Sequence, residues 1–291
     1  LYFVIDYFLM RAIMIKNSIF CGVLMMASIV GYARTEAQDD IAIQMYTLRN
    51  VGDTDAQFAM AKKAGFSHVE LVGDHHVDLP TMQETLKKYQ LNVIASHVQL
   101  SALESERGKI VAFNKGIGNS HLVVPWIEIN ERPTTKLGWI DYARRLDRMG
   151  ETLRNEGMSL SYHNHNFEMK KYDDVTALDL IMTHTHKNNL SLELDVAWAA
   201  RGGQDPASII ARYSGRIYAI HAKDNAAIGI RDDEMNFTPA GEGLLDWRSI
   251  ISAGRSSGVE WYIIEHDAPK DPWTIITTSR HNLKEMLQKH P

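Results

Sequence analysis

Acidic and basic side chains recur in this chain where short apolar runs end. Glu193-Leu194-Asp195, His163-Asn164-His165, His221-Ala222-Lys223 and Glu265-His266-Asp267 each close such a run, and Glu70 and His97 do the same earlier. If the runs are strands of one sheet, alternate residues share a face and these groups meet at one edge. A buried ring of unpaired charges is costly, and a divalent cation is the simplest compensation. Asp195, Glu265, His221 and one further histidine form a mixed oxygen and nitrogen set suited to Mn2+, Zn2+, Co2+ or Fe2+. Mg2+ or Ca2+ would want more oxygens.

The elements that must position these groups follow from periodicity. Strands are expected at 41–45, 68–72, 93–97, 121–124, 160–165, 190–195, 217–221 and 261–265. Helical spacing fills 55–63, 81–89, 102–116, 137–155, 175–184, 206–213, 247–255 and 272–287. Gly65, Gly157, Gly215 and Gly258 close helices, and each is soon followed by a strand. This alternation predicts a single α/β domain over 38–291, a (β/α)8 TIM barrel. A doubly wound open sheet is the alternative, but the first strand runs into Tyr46-Thr47-Leu48-Arg49 without a glycine-rich phosphate loop. In the barrel, Glu70, His97, His163, Asp195, His221 and Glu265 all point inward near the C-terminal rim. The same parity places Val93 with Ala95, and Ile217 with Ala219, on the inner face.

The chain has 291 residues, 45% hydrophobic and 23% charged, which excludes a disordered tail and a disulfide scaffold. A net charge of -5 gives no reason to expect nucleic acid or anionic lipid as partner. Residues 1–37 read as an N-terminal extension and signal peptide: Lys16, then an apolar run from Ile19 to Val30, then small residues at a cleavage site. A membrane anchor is the alternative. The signal predicts a periplasmic or secreted protein with no stable membrane partner after cleavage. Cys21, the one cysteine, lies inside it, so disulfides and thiol catalysis are not expected.

From about Ile41 onward the chain resembles the sugar phosphate isomerase/epimerase family, a branch of the xylose isomerase-like barrels that also includes endonuclease IV. The resemblance rests on Gln44-Met45-Tyr46-Thr47-Leu48-Arg49, Tyr162-His163-Asn164-His165, Leu194-Asp195-Val196-Ala197-Trp198, Ile220-His221-Ala222-Lys223-Asp224, Gly241-Glu242-Gly243 and Ile264-Glu265-His266-Asp267. It implies a divalent metal held from strands five to eight, with Asp195, His221 and Glu265 matching the last three. The epimerases of the family use two glutamates. Here the strand-five glutamate is absent, His163 stands nearest its position, and Glu168 follows. Either His163 or Glu168 would complete the metal set.

A metal on a carbonyl acidifies the neighbouring C–H proton, and the reaction then needs a base and hydrogen-bond donors. Glu265 would serve as ligand and base, His165 as the second acid/base, and Lys223, His97, Glu70 and Glu168 would hold hydroxyls. Trp198 offers the sugar an apolar face. The expected activity is metal-dependent enolisation of a keto-sugar, as isomerase or epimerase. A lyase or hydratase on an exported 3-keto-glycoside and a non-catalytic sugar-binding barrel are the alternatives. A small-molecule sugar is the expected partner and an oligomer is compatible with it. A repair endonuclease is disfavoured, because Trp198 stands where a second histidine is expected three residues after Asp195.

Overall fold

The computed structural model of the protein describes residues 40–289. The expected signal and Cys21 lie outside the described residues. Among the described residues, no helix is long and apolar enough to cross a membrane.

Eight strands carry the fold: β1 (Ile41–Gln44), β2 (His68–Val72), β3 (Asn92–His97), β4 (His121–Val124), β5 (Ser159–His163), β6 (Ser191–Asp195), β7 (Ile217–Ala222) and β8 (Trp261–Ile264). They pair in parallel and close in the order β1-β8-β7-β6-β5-β4-β3-β2, a TIM barrel. The helices are α1 (Thr54–Lys63), α2 (Leu79–Tyr89), α3 (Leu100–Gly116), α4 (Lys136–Asn155), α5 (Ala177–Thr183), α6 (Val196–Arg201), α7 (Pro206–Arg212), α8 (Trp247–Ser256) and α9 (Pro272–Lys289). Local chemistry fixes their starts. Asp53, Asp78, Thr135, Asp205 and Asp246 each accept a first-turn backbone N–H, and Thr176 with Asp179 forms a capping box.

The core has two shells. The outer shell packs strand residues such as Leu122, Leu160, Leu192 and Ile220 against helix residues such as Phe58, Leu146, Ile181 and Ile250. Gly150 lets α4 lie directly on the chain entering β6, because a Cβ there would sit 1.9 Å from the Asn189 carbonyl oxygen. The inner shell is small: Ala42, Ile94, Ala95, Val123, Tyr218, Ala219 and Ile263.

Two irregularities correct the simple inside–outside alternation. The β2–β3 register jumps from Val69↔Val93 to Glu70↔Ala95, and the β6–β7 register from Leu192↔Ile217 to Glu193↔Ala219. The skipped residues, Ile94 and Tyr218, belong to the inner shell, and Val93 and Ile217 to the outer one. Each bulge adds one residue and re-aims its neighbours, so strict period-two counting fails below it and holds above it. A further difference is at β5, which ends at His163 rather than 165. Asn164 leaves the strand: its Oδ1 accepts from Asp195 N at 3.0 Å, and its Nδ2 donates to Asp195 O at 3.3 Å.

Candidate metal centre and active site

His163, Asp195 and His221 sit on the C-terminal halves of β5, β6 and β7, and Glu265 follows the last residue of β8. One ligand atom from each of these four lies within 4.8 Å of the others, and all four side chains are buried. Asp195 is fixed by the start of α6, where its Oδ1 accepts from Trp198 N at 2.8 Å. Its Oδ2 has no hydrogen bond, although Lys223 Nζ lies 2.9 Å away. Lys223 Nζ also donates to Glu265 Oε2 at 2.7 Å and to Asp267 Oδ2. Two carboxylates and two imidazoles converging on one buried point fit a divalent transition-metal ion.

A second polar layer lies beneath and decides which ring nitrogens face the centre. Glu193 Oε1 is met by His163 Nδ1 at 3.1 Å, His221 Nε2 at 2.8 Å and His97 Nε2 at 2.9 Å. Glu70 Oε2 is met by Gln44 Nε2 at 2.8 Å and His221 Nε2 at 2.8 Å. These nitrogens are therefore assigned as protonated, which leaves His163 Nε2 for a metal, whereas His221, held protonated by Glu193, Glu265 and Glu70 despite its burial, would give up its Nδ1 proton to bind one. His221 Nδ1 lies 3.0 Å from Glu265 Oε2, and His163 Nε2 lies 4.0 Å from Asp195 Oδ2.

The electrostatics follow this layering. Burial pushes Asp195 up to about 6, against the pull of Lys223. Burial would raise Glu265 too, but Lys223 and His221 hold it well below the usual carboxylate range. Burial and the neighbouring His221 push His163 down to about 3, so it stays neutral and free to act as a ligand. His97 is carried up to about 9 by Glu70 and Glu193 despite its burial.

Other expected site residues are distributed differently. Glu70 and His97 do not face the mouth; they lie buried under His221 and His163 as supports. Glu168 is fully buried and both its oxygens are engaged, accepting from Tyr162 OH at 2.6 Å and His165 N at 2.8 Å. It lies outside the four-residue cluster and braces the turn that carries His165. Burial raises it to about 7. His165 lies beyond the strand end with its ring centroid 5.1 Å from that of His163, 4.7 Å from that of Trp126 and 5.4 Å from that of Trp198. Burial keeps its imidazole neutral, and its Nδ1 has no hydrogen-bond partner. Trp198 Nε1 is equally unpartnered, and Lys223 Nζ sits 5.7 Å over the Trp198 ring. Trp126, His165 and Trp198 thus form an aromatic wall beside the cluster, with the His165 Nδ1 and Trp198 Nε1 atoms buried within it.

Trp126 and Phe237 enter the site without having been named from sequence, and Glu193, Gln44 and Asp267 had been named within motifs but given no role. Glu193 shares a face with Asp195, which was the available signal. Trp126 arrives on the loop after β4, where no periodicity points to it. The segment after β1 seats the chain that leaves β8, since Thr47 Oγ1 accepts from His266 N at 3.0 Å and Arg49 Nη2 donates to Asp267 O at 2.6 Å. Asp224, next to Lys223, turns the other way. Its carboxylate accepts from Gly241 N, Gly243 N and Leu245 N, each at 3.1 Å, and from Trp247 Nε1 at 2.7 Å. A Cβ at Gly243 would lie 2.2 Å from Asp224 Oδ1, so only glycine permits this close wrap.

Comparisons with known proteins agree with this architecture. The family described as xylose isomerase-like TIM barrel matches residues 58–288. Inosose dehydratase of Lacticaseibacillus casei is 34% identical over 148 residues, which is 46% of this chain and 48% of that protein. The match spans about half the length of the curated relatives. A sugar phosphate isomerase/epimerase from Parabacteroides distasonis superposes with a TM-score of 0.72 at 20% identity, covering 86% of this chain and 96% of that one. The IOLI protein, solved with a zinc atom bound, superposes with a TM-score of 0.69 at 15% identity, covering 87% and 99%.

Proposed function

The chain belongs to the xylose isomerase-like TIM barrel family, and on that premise we propose that it is a divalent-metal-dependent lyase that dehydrates a keto-sugar or an inosose. A cation held by His163, Asp195, His221 and Glu265 would polarise the substrate carbonyl and acidify the adjacent C–H. Glu265 takes that proton. The electron pair left behind forms a C=C bond as the neighbouring C–O bond breaks. Lys223 protonates the departing oxygen, and water is released. Glu265 returns its proton to Lys223 across the 2.7 Å between them, so the cycle closes without a co-reactant. Trp198 and His165 form the wall that seats the ring.

One observation carries elimination ahead of epimerisation. Among the described residues, β5 brings His163 to the cluster and no glutamate, and Glu168 is committed to Tyr162 and to His165 N. Glu265 is then the carboxylate assigned as base, with no second glutamate from β5 opposite it among the described residues. The relatives called inosose dehydratases support the same reading. A second reading, isomerisation or epimerisation, is favoured by the unpartnered Nδ1 of His165, which would serve as the second acid/base. Export, which would suit a non-phosphorylated substrate, is part of this proposal and rests on residues 14–38.

Turnover of ketoses, inososes and 3-keto-glycosides in D2O, followed by mass spectrometry and ultraviolet absorption, separates the readings. Loss of water with a new enone band supports the lyase. Deuterium uptake at constant formula supports the isomerase or epimerase. Sugar binding with no bound metal, or turnover unchanged in Glu265→Gln, would sink both.

A further inference from the structure

The N-terminal end of the barrel, opposite the carboxylate and histidine cluster, is hollow. A cavity of about 510 Å3 opens there among the first residues of β4, β5, β6 and β7. Bulky branched side chains usually fill that end of such a barrel. Here the floor is polar and is built on the two bulges. Tyr218, one skipped residue, donates its hydroxyl to the carbonyl of Ile94, the other, at 2.7 Å. The Tyr218 ring stacks on His121 at 3.5 Å and 10°. His121 Nε2 lies 2.8 Å from Ser161 Oγ, which lies 2.7 Å from Ser191 Oγ.

The walls are cationic. Arg154, Lys187 and Arg216 line the cavity against one acid, Glu260, in a chain whose net charge is -5. Arg154 Nε donates to Asn189 Oδ1, and Arg216 donates to the carbonyls of Met182 and Leu190 and to Thr185 Oγ1. All of these acceptors are neutral, but Arg216 spends both Nη groups on them and also feels the Asp147 carboxylate, so Arg154 and Lys187 are the cations left for a ligand. Such a pair suits a phosphate group, which accepts several charge-assisted hydrogen bonds at once. The volume has room for more than a bare phosphate.

We propose that this cavity is a second binding site, for a small phosphorylated molecule, separate from the metal centre. Ser191 at the floor and Asp195 at the rim are four residues apart on β6, about 13 Å along the strand. The site therefore stands or falls independently of the proposed reaction.

The test is calorimetric titration of the full chain with inorganic phosphate and with glycerol 3-phosphate at fixed ionic strength. One molecule of each per chain is expected, with glycerol 3-phosphate the tighter. Lys187→Gln and Arg154→Gln should each weaken binding about tenfold, the effect of losing one charge-assisted bond. Lys187→Arg should keep it. Lys109→Gln, an exposed control on α3, should change nothing, and Asp195→Asn, which disables the metal centre, should leave binding intact. Absence of binding overturns the proposal. So does loss in Asp195→Asn with retention in Lys187→Gln, or an equal effect of Lys109→Gln, which marks general surface charge.

Discussion

The two ends of the barrel hold histidines of similar burial in opposite states. His97, near the rim, is 8% exposed, and His121, at the floor, is 9% exposed. Burial alone should discharge both. His121 is indeed pushed down to about 4, while His97 is carried up to about 9. The difference is company. His97 contacts Glu70 and Glu193 within 3.2 Å, whereas His121 contacts a serine hydroxyl and a tyrosine ring. Charge at the rim is therefore created by carboxylates that are themselves buried, and the floor is polar without buried carboxylates of its own. Only the rim has the excess of negative ligands that a cation would relieve.

The hardest way to break this contrast is at Glu265. Glu265→Gln should lower turnover of any accepted substrate about 10³-fold, the scale of losing an acid/base group, measured as kcat/KM. A loss of similar size in Tyr218→Phe would mean that the floor shares in the chemistry.

Glu168 gives the next largest effect, in stability. Its folded pKa of about 7 lies above the ordinary 4.5. The folded chain then holds this proton more tightly than the unfolded chain. The stabilisation is complete below 4.5 and is lost as the pH rises through 7, by about 3 kcal/mol in all. Glu168→Gln should flatten that slope in denaturant midpoints measured across the window. A slope unchanged in the variant would assign it to other groups.

Glu193→Gln should weaken metal affinity between about 10- and 100-fold, because it unfastens the outer nitrogens of two ligand histidines. Chelator competition measures this. His121→Gln, the floor counterpart, should leave metal affinity unchanged, and equal losses would erase the distinction between the two ends. The smallest effect belongs to Tyr218→Phe, which leaves the Ile94 carbonyl short of one donor and should cost about 1 kcal/mol in thermal or denaturant unfolding.

The contrast also explains what could be read in advance. Alternation of apolar strands with amphipathic helices exposed the barrel, because each strand's outer face must meet a helix. His163, Asp195, His221 and Glu265 were legible because strand ends impose a common rim on residues far apart in sequence. Their supports were harder. Glu70, His97 and Glu168 were expected at the substrate, but parity tells only that a side chain points inward, not how deep it lies. Glu168 was also drawn in by proximity to His163 in sequence, whereas Asn164 ends the strand and turns the following residues aside. The floor was illegible: its shape depends on Ile94 and Tyr218, and a single inserted residue leaves the hydrophobic pattern looking intact.

Asp224 points to how this chain could be altered. Its carboxylate, wrapped by the backbone of residues 241–245 and by Trp247, clamps the end of the long excursion that leaves β7 and returns to α8. The excursion starts beside Lys223, so its root is fastened by the chain itself, with no bound molecule needed. Residues 227–233, exposed or half-buried, can thus be treated as an exchangeable cassette, while Glu234, Phe237 and Thr238 stay in place. Libraries of different length and composition could be spliced between the two fixed anchors to reshape one side of the mouth while the catalytic frame stays in register.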